Sequence, residues 1–119
     1  ALQNKMSLVS VKNKFGNFIT PTIDSISNAA NTKVPNDTRV TLTDTDSEEG
    51  YPITGLTWLI LYKNQKYNNR SEHEFNELVK LLKWIVNNSE TYTNELKFSP
   101  LSKNLKEKAN AIINSMTYQ

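Results

Sequence analysis

Tyr51-Pro52-Ile53-Thr54-Gly55-Leu56-Thr57-Trp58-Leu59-Ile60-Leu61-Tyr62 is the stretch whose reading decides the fold. Its second half, residues 58–62, is continuously apolar. At that length it reads as a strand buried on both faces, as in an α/β sheet covered by helices. Pro52 has no N–H to give to a ladder, so regular pairing is expected only after it. Residues 56–62 form the longest apolar run, interrupted by Thr57, and it is too short to span a bilayer.

Downstream, residues 63–70 read as a polar loop. Ser71 followed by Glu74 makes a capping box: the Ser oxygen accepts the Glu74 amide and the carboxylate reaches back. Phe75, Leu78, Val79, Leu82, Ile85 and Val86 then keep one apolar face of a helix. That helix should weaken at Asn87-Asn88, where Ser89 is placed to cap a further turn carrying Tyr92 and Leu96. Phe98-Ser99-Pro100-Leu101 breaks the pattern. A last helix from about Ser102 should bury Leu105, Ala109, Ile112 and Met116.

Upstream, residues 38–43 alternate strictly, with Val40 and Leu42 to one side and Arg39, Thr41 and Thr43 to the other, which predicts a half-buried strand. Residues 44–50 are an acidic loop, and residues 32–37 a loop broken by Pro35-Asn36-Asp37. Ile23, Ile26 and Ala30 recur at helical spacing behind a cap at Thr20 or Thr22; Pro21 suits the first helical position if Thr20 is the cap. Residues 7–12 favour a strand through Leu8, Val9 and Val11. Residues 13–17 read as a turn, with Gly16 available for positive φ, and Phe18-Ile19-Thr20-Pro21 as a short extended stretch. The coarse order is β, α, β, β, α, α, an α/β class. Only one strand is fully apolar, so the chain supplies little of a sheet. The strand at 58–62 is expected to need neighbours from outside these 119 residues or from another copy of them.

Composition narrows the task. Apolar residues make up 37% and charged residues 22%, a globular but rather polar composition, so a large self-sufficient core is not assured. The net charge is only +2, and basic and acidic residues alternate without a long block. This argues against nucleic acid or an anionic membrane as the main partner. With no cysteine, a disulfide scaffold, a thiolate nucleophile and a Cys-based zinc site are excluded. Absence of cysteine suits an exported bacterial protein. The opening Ala1-Leu2-Gln3-Asn4-Lys5-Met6 has no initiator Met and no charged-then-apolar leader, so the chain is expected to be cut from something longer.

Six segments together resemble the phosphate-specific substrate-binding proteins of ABC transporters. Tyr51-Pro52-Ile53-Thr54-Gly55-Leu56-Thr57-Trp58 is similar to that family's Y/W-P-I-[ST]-x-x-[ST]-[WF] stretch. Ala1-Leu2-Gln3-Asn4-Lys5-Met6 is similar to its A-x-Q-N-K/N segment. Asn13-Lys14-Phe15-Gly16-Asn17-Phe18 resembles its N-K-x-G-K-[FY] turn, and Pro21-Thr22 with Ile26 and Ala29-Ala30 its next helix. Leu82-Lys83-Trp84 is like its F-[FL]-x-W helix, and residues 92–101 resemble its approach to the final helix. Each motif alone is weak; their shared order and spacing carry the resemblance, which covers nearly the whole chain.

The resemblance implies the C-terminal portion of a two-lobed periplasmic-binding-protein fold, with a mixed sheet flanked by helices in each lobe. Residues 1–50 would end the second lobe, residues 51–57 would cross between lobes, and residues 58–119 would supply the closing strand and helices of the first. The implied function is capture of inorganic phosphate for delivery to ABC permease subunits, outside the cytoplasm, in a periplasm or on a cell-surface lipoprotein. A phosphate sensor or surface interaction module on the same fold is the alternative. No cofactor is expected, and self-association of the chain is a further expectation.

Phosphate is held in a dry site by many donors: backbone amides at helix N-termini, Ser/Thr hydroxyls and an Arg for bidentate pairing. A carboxylate accepting the anion's own proton rejects sulfate. The family draws these groups from a Thr-Phe turn, a Ser, an Asp and an Arg with a Ser-Gly-Thr loop. No position here matches them, so the phosphate-binding residues are expected upstream of Ala1. Thr54-Gly55-Leu56-Thr57 lacks the clustered glycines and helix start of a phosphate loop.

Local groups have ordinary readings beside functional ones. Arg70-Ser71 could hold an anion at a helix N-terminus, or be a plain cap with a solvated Arg. His73, between Glu72 and Glu74, could be a metal ligand or exposed surface. Asp44, Asp46, Glu48 and Glu49 could bind calcium, but lack the glycine and distal bidentate Glu of a calcium loop and read as solvated. Trp58 and Trp84 could stack a ligand, though core packing is the better reading. The sequons at Asn36, Asn69 and Asn87 arise by chance in an Asn-rich chain. No Ser/His/Asp, metal or paired-carboxylate constellation supports an enzyme, and no catalytic or metal residue is assigned.

Overall fold

A computed structural model describes residues 6–119, so the motif read at residues 1–5 lies outside the described residues. The chain opens with an antiparallel hairpin of β1 (Val11–Lys12) and β2 (Phe18–Ile19), in which Val11 faces Ile19 and Lys12 faces Phe18. Its turn is closed by the Asn13 N–H donating to the Asn17 carbonyl and the Gly16 N–H to the Asn13 carbonyl, each 2.9 Å. Gly16 takes φ +90°, a conformation that costs little without a Cβ. The strand expected over 7–12 thus contracts to its last two residues, and the short extended stretch after the turn becomes its partner.

Helix α1 (Ile23–Ala29) is capped by Thr22, not Thr20. The Ser25 amide donates to Thr22 Oγ1 at 3.1 Å, and the Thr22 amide donates to Ser25 Oγ at 2.9 Å. This is a reciprocal box with Ser in the position usually held by Glu. The Ser25 hydroxyl in turn donates to the Thr20 carbonyl at 2.7 Å. The loop after residue 43 is tied onto this helix. Thr45 Oγ1 donates to the Ala29 carbonyl at 2.9 Å, and the Tyr51 amide to the Ser25 carbonyl at 2.9 Å. Gly50 permits the approach: a Cβ there would sit 3.0 Å from Ala29 Cα.

Residues 39–43 bury in the alternation their sequence requires, Leu42 and partly Val40 inward with Arg39, Thr41 and Thr43 exposed. They do not form the predicted strand. Left-handed residues close the segment at both ends, Thr38 at φ 60° and Asp44 at φ 47°. Only an isolated antiparallel bridge from Thr43 to Ile53 remains.

The second half is helical. Helices α2 (Glu72–Asn88), α3 (Glu90–Glu95) and α4 (Lys103–Asn114) follow in order, and α2 packs on α4. Ser71 and Glu74 form the predicted box: the Glu74 amide donates to Ser71 Oγ at 3.2 Å and the Ser71 amide to Glu74 Oε2 at 2.7 Å. Leu82, Leu105 and Ile113 are the buried apolar residues here. Ile113 replaces the expected Ile112, which stays 40% exposed. The C-terminal tail folds back beside residues 63–65: the Thr117 amide donates to the Lys63 carbonyl and the Gln65 amide to the Thr117 carbonyl, each 2.9 Å.

Residues 58–62 depart most from expectation. They form no strand and are not buried on two faces: Leu59 is 64% exposed, Ile60 94% and Tyr62 71%. Nor are Trp58 and Trp84 core residues, both being about half exposed. The reason is absence of neighbours, since among the described residues no other segment lies alongside 58–62 to complete a ladder. The whole chain carries the same signature. It exposes 8472 Å², whereas a compact monomer of its mass would expose about 6,600 Å². Its radius of gyration is 17.0 Å, against about 13.5 Å for a compact domain of this length.

Candidate functional site

An apolar recess among the described residues follows from that segment. Residues 56–62 form one wall, and the inward faces of α2 and α4 the other, leaving a groove of about 390 Å³. Trp58, Leu61, Leu82, Ile85, Leu105 and Ile112 line it. The face read from sequence on the last helix (Leu105, Ala109, Ile112, Met116) is the face that lines this groove. Its period was legible; that Ile112 on it would stay exposed while Leu105 is buried was not. The wall is mostly apolar, with Thr38, Thr57, Lys63, Ser89 and Ser115 as its polar members, and it gathers no cluster of amides at a helix start of the kind that holds an anion.

Arg70 is not a solvated Arg beside a cap. Its guanidinium donates to Gln65 Oε1 and lies 4.8 Å from the centre of the Tyr67 ring. Gln65, fully buried, donates in turn to the Tyr62 carbonyl, and Tyr118 OH donates to the Arg70 carbonyl at 2.7 Å. Every strong group of this cluster has a partner within the chain, so it acts as a clasp that ends the loop and starts α2. Sequence reading passed over Gln65, because a lone Gln in a polar loop signals nothing until Arg70 and the tail close over it.

At the start of α2 the carboxyl of Glu74 is held below its ordinary value of 4.5. The Ser71 amide stabilises the charged form most, then the Ser71 hydroxyl, with Arg70 and His73 adding smaller contributions. Glu77 is likewise lowered, by the Lys80 ammonium 2.7 Å away. His73 sits exposed in the first turn.

The acidic loop serves the hairpin. Asp44 Oδ1 accepts the Lys14 amide at 2.8 Å, Asp46 pairs with the Lys14 ammonium, and Glu49 accepts from Asn28 at 3.3 Å. Asn13, only 5% exposed, donates to the Glu48 carbonyl at 2.8 Å, while its own Oδ1 accepts the Phe15 and Asn17 amides at 3.1 and 3.0 Å. The motif read as a turn is therefore also a rivet between the hairpin and the loop. Among the sequons, Asn36 accepts from Lys108 at 2.9 Å and Asn87 exchanges hydrogen bonds with Asn110. No described helix is long and apolar enough to cross a membrane.

The comparisons agree with the motifs: along most of its length this chain is similar to bacterial phosphate-binding proteins. The relatives are the phosphate-binding protein PstS of Xylella fastidiosa strain 9a5c and the protein of the same name from strain Temecula1. Each is 29% identical over 108 residues, which are 88% of this chain and 29% of the relative. The chain thus spans about three tenths of the length of the curated relatives it matches. No protein-family profile matches it.

Proposed function

We propose that this chain is the C-terminal part of an extracytoplasmic phosphate-binding protein that captures inorganic phosphate and hands it to an ABC permease, acting as a binding protein and not as an enzyme. The similarity to the Xylella proteins over 88% of the chain is the observation that carries the reading. The uncovered groove and unpaired segment 58–62 support it, because they are what a piece of a covered sheet would leave exposed. In this reading residues 1–50 end one lobe, residues 51–57 cross over, and residues 58–119 add a strand and closing helices to the other. The anion donors lie in the remaining length of the protein.

Calorimetry of the longer protein against phosphate and sulfate tests this. Phosphate binds and sulfate does not; undetectable phosphate binding would sink the reading. The 119-residue chain alone shows no specific phosphate binding, and micromolar affinity lost on Arg70→Ala would move the site into this segment.

A further inference from the structure

We propose that residues 116–119 are a strap that seats the wall of the apolar groove: their docking on residues 63–75 holds residues 58–62 against α2 and α4, and releasing them opens the groove. The proposal rests on contacts within this chain and is independent of the phosphate reading.

The wall does not hold itself. Among the described residues none of residues 56–61 donates or accepts a backbone hydrogen bond. Its distance from the helices is therefore inherited from whatever fastens its two ends. Upstream, the Tyr51 amide donates to the Ser25 carbonyl of α1 and the Asp44 amide to the Pro52 carbonyl, which gives no hold on α2 or α4. Gly55 then runs through open space, where a Cβ would meet no atom beyond its chain neighbours within 4 Å.

Downstream, the strap takes hold at once. The Thr117 amide and carbonyl bond the Lys63 carbonyl and the Gln65 amide, so Thr117 pairs in parallel with Asn64 like a residue of a neighbouring strand. Asn64 Nδ2 donates to the Gln119 carbonyl at 2.9 Å, and Asn64 Oδ1 accepts the Gln119 amide at 3.2 Å. This side-chain amide extends the pairing to Gln119. Between them Tyr118 joins the strap to α2. Its OH donates to the Arg70 carbonyl at 2.7 Å, its ring stacks on Phe75 in the first turn of α2 with centroids 5.9 Å apart, and the Lys66 ammonium lies 5.8 Å from its centre.

The strap is also the direct continuation of α4, which ends at Asn114. Wall, α2 and α4 thus meet at one end of the groove, where Tyr62, Lys63, Ser115 and Met116 line it. The clasp of Gln65 with Arg70 is the competing tether. Its bonds run among Tyr62, Gln65 and Arg70, so it fixes the loop onto itself and gives the wall no grip on α4.

Spin labels can read the wall directly, because the chain has no native cysteine. Ile60→Cys and Asn104→Cys place labels on exposed positions of the wall and of α4. Pulsed electron resonance of the dilute 119-residue chain should give one narrow distance distribution. Tyr118→Ala should broaden it and quicken exchange of the Gln65 and Thr117 amides together, on the order of tenfold. Tyr118→Phe keeps the ring and loses the bond to Arg70, so it should do less. Asn64→Ala, at an exposed position that does not threaten folding, should also broaden the distribution by releasing Gln119. In every variant the helical circular dichroism and the exchange of the hairpin amides should match the unsubstituted chain. A broad distribution in the unsubstituted chain, an unchanged one in both Tyr118→Ala and Asn64→Ala, or exchange quickened as much in the hairpin as at Gln65 would each overturn the proposal.

Discussion

Residues 38–43 and residues 58–62 both carry strand patterns and both lie outside any regular ladder, yet they finish in opposite environments. The first segment is the less apolar of the two, and it contains Leu42, only 2% exposed. The second is the most apolar run of the chain, and Ile60 within it is 94% exposed. The difference lies in what the chain offers each of them. Residues 38–43 need cover on one face, and the neighbouring chain is fastened there: Thr43 bridges Ile53, the Asp44 amide donates to the Pro52 carbonyl, and Thr45 holds the Ala29 carbonyl. Residues 58–62 are apolar on every side chain, and α2 with α4 covers them from one side only, as the other wall of a groove. An apolar run states a requirement for neighbours; it does not supply them.

Substitutions can break or sharpen this contrast. The largest effect is expected at Leu42: Leu42→Ala should cost about 2–5 kcal/mol, whereas Ile60→Ala should change stability by no more than about 0.5 kcal/mol. Denaturant unfolding at dilutions where the chain is monomeric reads both. If the two substitutions cost the same, residues 58–62 are covered in solution and the contrast fails.

A smaller effect tests the rivet that keeps the first region closed. Asn13→Ala removes donors and acceptors at a buried position and should cost about 1–3 kcal/mol. Amide exchange should quicken in the hairpin turn and in residues 44–50 together. Faster exchange confined to the turn would show that Asn13 does not join them.

The smallest effect lies in the helical region. The Glu74 carboxyl is lowered in the folded chain, so its contribution to α2 is full above the ordinary value of 4.5 and is lost as pH falls through the lowered one. The helical circular-dichroism signal should therefore decline on acidification in that window, and Glu74→Gln should flatten the decline. An identical acid profile in the variant would assign the loss to other carboxylates.

Elements governed by neighbours in sequence were legible beforehand. Ser71 and Glu74 marked the start of α2, and Ser102 the start of α4, because a cap needs only a side-chain oxygen and the amides of the next turn. The inward face of α2 was readable from helical period, with Leu82 buried and its period neighbours partly so. A choice of cap and two buried polar residues were less visible. Thr20 and Thr22 were equally good caps until Ser25 chose between them, and Gln65 and Asn13 looked like ordinary loop residues.

Local chemistry is written in adjacent residues, so the hairpin turn, the helix starts and the alternation of Leu42 with its neighbours needed no fold to specify them. Closure over long distances is another matter. Whether Trp58 and Ile60 are buried, whether Gln65 finds Arg70 and whether Asn13 finds the carbonyl of Glu48 depend on which distant segments arrive. Burial and hydrogen bonding act between surfaces in contact, and contact between surfaces far apart in the chain is a property of the assembled molecule.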